Sequence, residues 1–345
     1  MYIYGVLNSD KELFFGPHGV TACEEVYTIS CRGIAAVVSD SEIVDYTHMR
    51  KDKLAMFLVR HQKAIEKIMS LGHTIIPVRI GTFAKDAEEV RYILACGHTV
   101  IKDIFGKISD TIEIDITAIR GDFNSAIKEA GEDEEIKEFK KSLLASSGGV
   151  TVDDQMKMGL MVKDALDRIR EGYSKRIQAS LKNTSLDFKA HELMDDKMVA
   201  NIAFLIDKAK RKDFEMAVEG LNTEFGEKLN FRCVGPLPPY SFYTLEIKPL
   251  NHEDIDWAKK KLGISSGITS RDEVKKAYQR QAVSTHPDRN PNVRDSGKEF
   301  DEVNKAYKML TEYCAALEQA GPVRDEKSPR GTGIKDDPIL VRVRE

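Results

Sequence analysis

The sequence predicts an α+β protein of two or three domains that ends in a pair of amphipathic helices. The length of 345 residues exceeds that of a usual single domain. Over roughly the first 250 residues, short apolar or alternating runs are separated by longer segments with helical spacing. Residues 270–310 then hold two helical patterns on either side of a polar loop, which is typical of a helical hairpin.

Composition places the chain among ordinary soluble globular proteins, with 41% hydrophobic and 31% charged residues. The net charge of -4 argues against a nucleic-acid binder as a whole. No apolar run reaches the roughly 18 residues that a membrane span needs, so we expect none. The start of the chain lacks a basic region before an apolar core, and we therefore expect no signal peptide.

The five cysteines are scattered and form no C-x-x-C motif, so the sequence indicates neither a zinc knuckle nor a redox pair. Buried structural thiols in a reducing cytoplasm are the favoured interpretation, and we expect no metal and no cofactor. The cysteines are Cys23, Cys31, Cys96, Cys233 and Cys314.

The first 110 residues alternate between extended and helical patterns. The predicted order is strand, strand, helix, strand and helix, over residues 2–7, 26–39, 52–71, 74–83 and 86–108. Pro77 lies inside the third strand, and a proline there predicts an edge strand or a bulge. This order predicts an α+β sandwich with an antiparallel or mixed sheet.

The second part of the first 250 residues begins with residues 111–119, whose alternating pattern predicts a half-buried strand. A mostly helical pattern follows, and serines and glycines at 146–149 interrupt it. Further elements are a helix, a strand, a helix and two strands, at 152–181, 199–206, 214–225, 229–234 and 242–247. The motif G-P-L-P-P-Y-S-F, residues 235–242, predicts a stiff turn between the last two strands.

Arg79, His61 and three methionines are candidate functional residues for which a structural role is favoured. An arginine in an apolar strand needs a carboxylate or carbonyl partner, so Arg79 is interpreted as an ion pair first and a partner contact second. His61 lies on the apolar face of a helix without a second metal ligand at a suitable spacing, which predicts a hydrogen-bonded histidine near the core. The methionines could form an adaptable binding surface, although core filling is favoured, and they are Met156, Met158 and Met161.

The C-terminal hairpin has clear boundaries. Ser270 and Glu273 have the spacing of a capping box at a helix start. One apolar face follows, formed by Val274, Ala277, Tyr278 and Ala282. The helix is expected to stop at His286 because Pro287 disfavours a helical conformation in the residue before it. A second helix begins near Gly297 and repeats Phe300, Val303, Tyr307 and Leu310 on one side.

This hairpin resembles the J-domain of DnaJ-type co-chaperones. The motifs are K-K-A-Y-Q-R-Q-A-V-S-T-H-P-D-R-N-P, then E-F-D-E-V-N-K-A-Y-K-M-L, with L-G-I at 262–264 similar to the end of that family's first helix. The resemblance covers about residues 253–314 and implies docking on a DnaK-type (heat-shock 70) chaperone whose ATP hydrolysis is stimulated. It implies a signalling loop of His286, Pro287 and Asp288 and an electrostatic docking face of Lys275, Lys276 and Arg280.

The hairpin departs from the family pattern at Gln281, Ser284 and Lys261, where the family usually has a core leucine, a lysine and an apolar residue. Two other interpretations of the loop are less favoured. In the first, the proline only ends the helix and the cations are ordinary solvated surface. In the second, His286 and Asp288 form a catalytic pair. The catalytic pair is disfavoured because no nucleophile, third orienting group or glycine-rich loop lies nearby in sequence.

The region before the hairpin resembles the GvpL/GvpF family of gas vesicle proteins over about residues 1–250. The motifs are the opening Y-G-V, then I-P-V-R-I-G-T-F, T-I-E-I-D-I and G-P-L-P-P-Y-S-F. Ile80 replaces a usual phenylalanine, and Asp115 stands where an apolar or small residue is commoner. The resemblance implies two α+β domains of a modified ferredoxin-like, α/β-sandwich kind. It also implies an accessory role in gas vesicle formation, with contacts to the small hydrophobic shell protein.

Together the patterns predict four segments. The first domain covers residues 1–109, the second α+β domain with a helical insertion covers 110–250, and the J-domain covers 253–316. A flexible tail is expected over 317–345, because it is rich in proline and charge. Within that tail, the apolar run that begins at Ile339 could add a strand to a neighbour's sheet edge.

The functional hypothesis is a non-enzymatic, cytoplasmic assembly factor associated with gas vesicles. Residues 1–250 would hold or nucleate shell subunits and meet other gas vesicle accessory proteins, while the J-domain would bring a DnaK-type chaperone to these aggregation-prone subunits. One alternative is a general co-chaperone whose first domains bind unfolded clients broadly. Another is an enzyme with a pocket among Arg79, His61 and Asp115.

Overall fold

A computed structural model describes residues 1–17, 24–44, 49–145, 149–265, 270–286, 296–324 and 338–344. The chain forms two compact units, and each contains its own main sheet. The first unit combines Met1–Lys107 with Tyr243–Glu345, and the second is Ile108–Phe242. In the described part of the chain, no helix is both long enough and apolar enough to cross a membrane. The predicted α+β class is confirmed.

The main sheet of the first unit has five antiparallel strands in the order β2-β3-β4-β1-β5. Its strands are β1 (Tyr2–Leu7), β2 (Phe14–Gly16), β3 (Val26–Cys31), β4 (Ile34–Ser39) and β5 (Ile75–Pro77). Every residue of the two central strands β1 and β4 is buried, which is why both read as continuous apolar runs. Two helices belong to this sheet's region of the chain, α1 (Lys51–Ser70) and α2 (Ala87–Ile108).

The sequence predicts two strands before the first helix, and the structure has four. The stretch 26–39 is not one strand but a hairpin, because Arg32 and Gly33 both take a positive φ, 53° and 77°, and turn the chain between Cys31 and Ile34. Two consecutive residues with positive φ match the twist of a tight hairpin. The short β2, with three residues, leaves too little pattern to recognise.

The predicted strand over 74–83 is shortened to β5 at Ile75–Pro77. Pro77 lies in β5, which is an edge strand of the five-stranded sheet, and this confirms its predicted edge position. The chain beyond it changes partner: Val78 forms a parallel bridge with Leu245, and the Arg79 amide donates to the Leu245 carbonyl at 2.8 Å.

The second unit contains a four-stranded antiparallel sheet in the order β7-β8-β6-β9. Its strands are β6 (Thr111–Arg120), β7 (Asp187–Ala190), β8 (Met198–Asp207) and β9 (Leu229–Leu237). The expectation that β6 is half-buried understates its burial, because β6 lies between β8 and β9 and its first four residues are all buried. The helices along this part of the chain are α3 (Phe123–Ala130), α4 (Glu134–Ala145), α5 (Val152–Lys182), α6 (Arg211–Phe225) and the short α7 (Tyr240–Tyr243).

The region after β9 differs from the prediction of a turn over 235–242 and a strand over 242–247. Strand β9 extends to Leu237, and α7 replaces the start of the predicted strand. The Glu113 carboxylate accepts hydrogen bonds from the amide and hydroxyl of Ser241, at 2.8 and 2.7 Å, and holds this helical turn. The next strand, β10, starts only at Leu245 and runs Leu245–Pro249.

Three helices follow β10, and a last strand follows them. The helices are α8 (His252–Leu262), α9 (Arg271–Thr285) and α10 (Ser296–Arg324), and the strand is β11 (Ile339–Val343). Strand β11 pairs antiparallel with β10 of the same chain, whereas the sequence predicts a flexible tail with a strand for a neighbour. Residues 325–337 of that predicted tail lie outside the described residues. Because β10 and β11 belong to the first unit, its boundaries differ from the expected division at residue 250.

Candidate functional site

The three C-terminal helices share one small core. Ser270 caps α9, since its hydroxyl accepts a hydrogen bond from the Glu273 amide at 3.3 Å, as the predicted cap requires. Gly263 ends α8 in the left-handed conformation with φ 68°. The buried residues of this core are Ile255, Ala258, Leu262, Val274, Ala277, Val303, Ala306, Leu310 and Cys314. The predicted apolar faces of both hairpin helices therefore meet in this core.

A polar contact joins α9 to α10 at the middle of the hairpin. The rings of Tyr278 and Tyr307 are stacked with their centroids 4.3 Å apart. The Tyr278 hydroxyl donates to the Asn304 carboxamide oxygen at 2.9 Å. Paired aromatic rings of this kind add about 0.5–1.5 kcal/mol beyond their burial, so this contact orients the two helices as well as covering their core.

The predicted docking face is exposed on α9. Lys275, Lys276 and Arg280 are all exposed, whereas Val274 and Ala277 of the same helix are buried. At 100° per residue, the three cations fall within an arc of about 140° on the helix surface. The three cations therefore lie on one exposed side of α9, and the exposed Asp272 lies on the same side one turn earlier.

The predicted signalling loop is described only at its first residue. His286 caps the C-terminus of α9 in an extended conformation, with φ -60° and ψ 128°, as the following proline predicts. Its side chain is half-buried rather than fully exposed, and its ring meets the Phe300 ring edge to face, with centroids 5.1 Å apart. Pro287 and Asp288 lie outside the described residues.

The three departures from the J-domain pattern each have a place in the hairpin. Lys261 forms an ion pair with Glu302 at 2.5 Å. The Ser284 hydroxyl donates to the Gln281 carbonyl at 2.9 Å. Gln281 is half-buried, and its side-chain amide is close enough to Gly263 that a Cβ there would lie 3.4 Å from it. The glutamine therefore places a polar amide beside the end of α8, at the position where the family usually has a leucine.

A second cluster of polar side chains lies in the second unit and is not among the sites predicted from the sequence. Ser241 contacts both Glu113 and His191, with its hydroxyl 2.7 Å from the Glu113 carboxylate and 3.0 Å from His191 Nε2. Burial raises the Glu113 pKa to about 7, against the hydrogen bonds from Ser241. Burial also raises the pKa of Asp115, and one of its carboxylate oxygens is buried without a hydrogen-bond partner in the described part of the chain. The alternation T-I-E-I-D-I was the available signal, because it places both carboxylates on one face of β6.

This cluster anchors a turn and does not have the arrangement of a hydrolytic triad. In a triad the acid orients the histidine, which takes the proton of the serine. Here the acid, Glu113, binds Ser241 directly through both the hydroxyl and the amide. The described residues also contain no group of three or more histidine, cysteine, aspartate or glutamate side chains that could hold a metal ion.

The residues of the suggested enzyme pocket have structural partners of their own. Arg79 forms an ion pair with Glu246 at 2.7 Å, which confirms its first interpretation. His61 is buried, and its Nδ1 lies 2.8 Å from the Tyr2 hydroxyl, which confirms a hydrogen-bonded histidine in the core. Asp115 lies beside Glu113 in β6.

The methionines of α5 divide between the two interpretations. Met158 and Met161 pack against the buried cluster formed by Ala130, Ile136 and Ala165, as core filling predicts. Among the larger apolar side chains that remain exposed are those of Val152, Met156 and Leu160, which are 71%, 64% and 61% exposed. Their spacing of four residues places them along one side of the helix. This row is called the α5 apolar stripe below.

Comparisons with known proteins divide the chain as the resemblances predict. The family model for the gas vesicle synthesis protein GvpL/GvpF matches residues 1–244, and the DnaJ domain matches residues 260–313. Gas vesicle protein F of Haloferax mediterranei is 22% identical over 249 residues, which are 72% of this chain and 94% of that protein. The chaperone protein DnaJ of Paramagnetospirillum magneticum is 42% identical over 71 residues, 18% of each chain.

Solved structures agree on the fold of the longer region. The crystal structure of gas vesicle protein GvpF from Microcystis aeruginosa has a TM-score of 0.56 at 22% identity and covers 70% of this chain and 97% of its own. The corresponding structure from Anabaena sp. PCC7120 has a TM-score of 0.60 at 21% identity, with 70% and 96% coverage. The family match spans more than half of the chain. The protein is thus a member of the GvpL/GvpF family of gas vesicle synthesis proteins, and it carries a DnaJ domain after the family region.

Proposed function

We propose that this protein is a gas vesicle assembly factor that holds shell subunits through its family region and recruits a DnaK-type chaperone through its J-domain. The observation that carries the proposal is the presence of both parts in one chain, the family region over residues 1–244 and the DnaJ domain over 260–313. A subunit with a water-repelling face exposes it until it is assembled, and such surfaces aggregate. Delivering a chaperone to that subunit meets this need.

The chaperone-facing part of the proposal rests on α9. Lys275, Lys276 and Arg280 form an exposed positive face, and His286 follows at the end of the same helix. We assign the face to docking on an acidic chaperone surface and the loop from His286 to Asp288 to signalling. The core of the hairpin supports this assignment, because it leaves all three cations outside.

The shell-facing part is supported by exposed apolar surface in the family region. The α5 apolar stripe offers side chains that are more than 60% exposed, next to a partly buried methionine pair. Flexible, apolar side chains of this kind suit a partner that is itself apolar and not yet in its final shape. Shell subunits and other gas vesicle accessory proteins are the proposed partners, and the protein is proposed to be cytoplasmic, vesicle-associated and non-enzymatic.

Co-expression tests the proposal. The full chain is produced together with a gas vesicle shell protein, and the shell protein in the soluble fraction is measured. We expect more soluble shell protein with the full chain than with a chain whose α5 apolar stripe is replaced by Val152→Ser, Met156→Gln and Leu160→Gln. Equal amounts with and without the full chain would contradict shell binding.

The second candidate is a general J-domain co-chaperone, and the same exposed apolar stripe favours it, because such surface does not by itself select one client. An unrelated aggregation-prone protein distinguishes the two. Under the proposed function, the chain keeps shell protein soluble and has little effect on the unrelated client. Equal protection of both clients would favour the general co-chaperone.

A further inference from the structure

The J-domain is inserted between two paired strands. Strands β10 and β11 flank its three helices in the chain and pair in five consecutive positions, from Leu245 opposite Val343 to Pro249 opposite Ile339. At the end nearest the helices, the Leu250 amide donates to the Pro338 carbonyl at 2.9 Å. The chain therefore leaves the strand pair and returns to it at the same place, so the J-domain is attached on both sides.

This strand pair is joined to the main sheet of the first unit. Val78, directly after β5, forms a parallel bridge with Leu245, and the Arg79 amide donates to the Leu245 carbonyl. Leu245 is fully buried. Strand β10 thus has the edge of the main sheet on one side and β11 on the other.

Strand β11 also holds the last J-domain helix. The Gln319 carboxamide on α10 donates to the Val341 carbonyl at 2.8 Å and accepts from the Val341 amide at 3.1 Å. Leu340 belongs to a buried cluster with Leu250 and Ala316. A side-chain amide that satisfies both backbone groups of one strand residue fixes the position of the helix along the strand.

The same strand contacts α2 of the first unit. Val341 is fully buried, and a Cβ on Gly97 would lie 2.7 Å from its Cγ1 atom. Only a glycine at position 97 therefore leaves room for Val341 where it lies. Gly106 on the same helix has no atom within 4 Å of its corresponding position.

A network of ion pairs connects strands β10 and β11, helix α10 and the segment that follows β5. Arg342 of β11 binds Glu246 of β10 at 2.7 Å and Glu312 of α10 at 2.9 Å. Arg79 completes the Glu246 contacts at 2.7 Å, and Lys248 binds Glu312 at 2.5 Å. Glu312 is only 7% exposed, so this network is partly removed from solvent. Burial would raise the Glu246 pKa, but the hydrogen bonds and charges of Arg342 and Arg79 outweigh it and lower that pKa.

We propose that β11 is a positioning strand that holds the J-domain in one orientation relative to the five-stranded sheet of the first unit. A domain on a single flexible linker samples many orientations, and fixing it removes this entropy before a partner binds. The consequence for chaperone delivery rests on the proposed function: the docking face of α9 would be presented at a fixed place relative to the five-stranded sheet of the first unit. The attachment itself does not depend on that function.

A distance measurement in the full chain tests the proposal. Labels are introduced through unnatural amino acids at two exposed positions, Lys63 on α1 and Gln279 on α9, so that the native cysteines stay in place. Pulsed electron paramagnetic resonance then gives the distribution of the distance between the two spin labels. We expect one narrow distribution for the otherwise unchanged protein.

Two matched pairs of variants separate the role of β11 from a general effect of substitution. Gly97→Leu displaces Val341, whereas Gly106→Leu adds the same side chain to the same helix in open space. Arg342→Glu places a third carboxylate beside Glu246 and Glu312, whereas Arg344→Glu makes the same charge change at an exposed position one residue beyond β11. Gly97→Leu and Arg342→Glu should broaden the distribution at least twofold, and the two controls should leave it unchanged.

Hydrogen exchange at the β10 amides checks that β11 has been released, and protection of α9 amides checks that the J-domain is still folded. A broad distribution of label distances in the unsubstituted protein would overturn the proposal. A distribution that stays narrow and unchanged after removal of residues 338–345 would also overturn it. Stimulation of a DnaK-type chaperone is measured in parallel. Its absence in the unsubstituted protein would count against the proposed function and leave the distances to decide on the strand.

Discussion

His61 illustrates how one buried side chain links the fold to pH. This residue is 1% exposed, its Nδ1 atom contacts the Tyr2 hydroxyl, and its Nε2 atom has no hydrogen-bond partner among the residues that the structure describes. Burial lowers the pKa of His61 from 6.5 to about 4. The folded protein therefore keeps this histidine neutral at pH values where the unfolded chain protonates it.

We expect the stability that depends on His61 to be complete above about pH 6.5 and to be lost as the pH falls toward 4. Linkage gives the sign, because between these values the unfolded state binds more protons, and the size is on the order of 3 kcal/mol. The His61→Phe variant should show a weaker dependence of unfolding free energy on pH in this window. Urea unfolding of the variant and of the exposed control His252→Gln measures it; an equal pH dependence in both would contradict this role.

Glu113 is expected to act in the opposite direction. Its pKa is raised by burial to about 7, above that of an exposed glutamate, so the folded state holds a proton that the unfolded state releases. Its contribution to stability is complete below about pH 4.5 and is lost as the pH rises through 7. Glu113→Gln should therefore become more favourable relative to the unsubstituted protein as pH rises. A difference in unfolding free energy that stays constant from pH 5 to 8 would contradict this expectation.

At the scale of elements, the helices of the J-domain were predictable and parts of both sheets were not. The cap of Ser270, the proline after His286 and the apolar spacing between them are local signals, and they give the bounds of α9 closely. The hairpin turn at Arg32 lacked such a signal, because an arginine rarely takes a positive φ. Strand β11 follows a proline-rich, charged segment, and its partner β10 is about ninety residues earlier, so only the tertiary structure shows their pairing.

In the candidate sites too, features with a local sequence signal could be predicted and tertiary contacts could not. The exposure of Lys275, Lys276 and Arg280 on α9 could be predicted because helical periodicity assigns exposed and buried positions, whereas their docking role is a proposal that comes from the resemblance. The contact between His286 and Phe300 could not, since it joins two helices across a loop. The alternation in β6 indicates only that Glu113 and Asp115 share one face, because the contacts of Ser241 with Glu113 and His191 join separate parts of the second unit.

The proposed electrostatic role of α9 gives a prediction at this scale. Replacing Lys275 and Lys276 together by alanine should weaken chaperone binding by about 2- to 30-fold, if each exposed pair contributes roughly 0.2–1 kcal/mol. The effect should shrink as salt rises, because exposed charges are screened. ATP turnover of a DnaK-type chaperone, titrated with the protein at low and moderate salt, measures this. Lys63→Ala with Lys67→Ala on exposed parts of α1 is the control; equal weakening by the control would contradict a localised docking face.

At the scale of the whole molecule, β11 leads to a prediction for a fragment of residues 1–250. That fragment keeps β10 but lacks the strand that covers it, and Val341 alone is a fully buried side chain whose removal costs about 2 kcal/mol. We therefore expect the first unit of the fragment to melt several degrees below that of the full chain. Calorimetry of both proteins measures this. Equal melting of the two would mean that β11 adds no stability to the first unit.

The most direct test of the whole account is the recovery of both partners on one chain. The protein is purified by an affinity tag from cells that form gas vesicles, and bound shell protein and DnaK-type chaperone are quantified. We expect both to be recovered with the unsubstituted protein, and we expect the His286→Gln variant to retain shell protein and to lose most of the chaperone. This substitution should leave the fold intact, since the ring contact with Phe300 that it removes contributes only about 0.5–1.5 kcal/mol. Recovery of neither partner, or of equal chaperone with both proteins, would contradict the account.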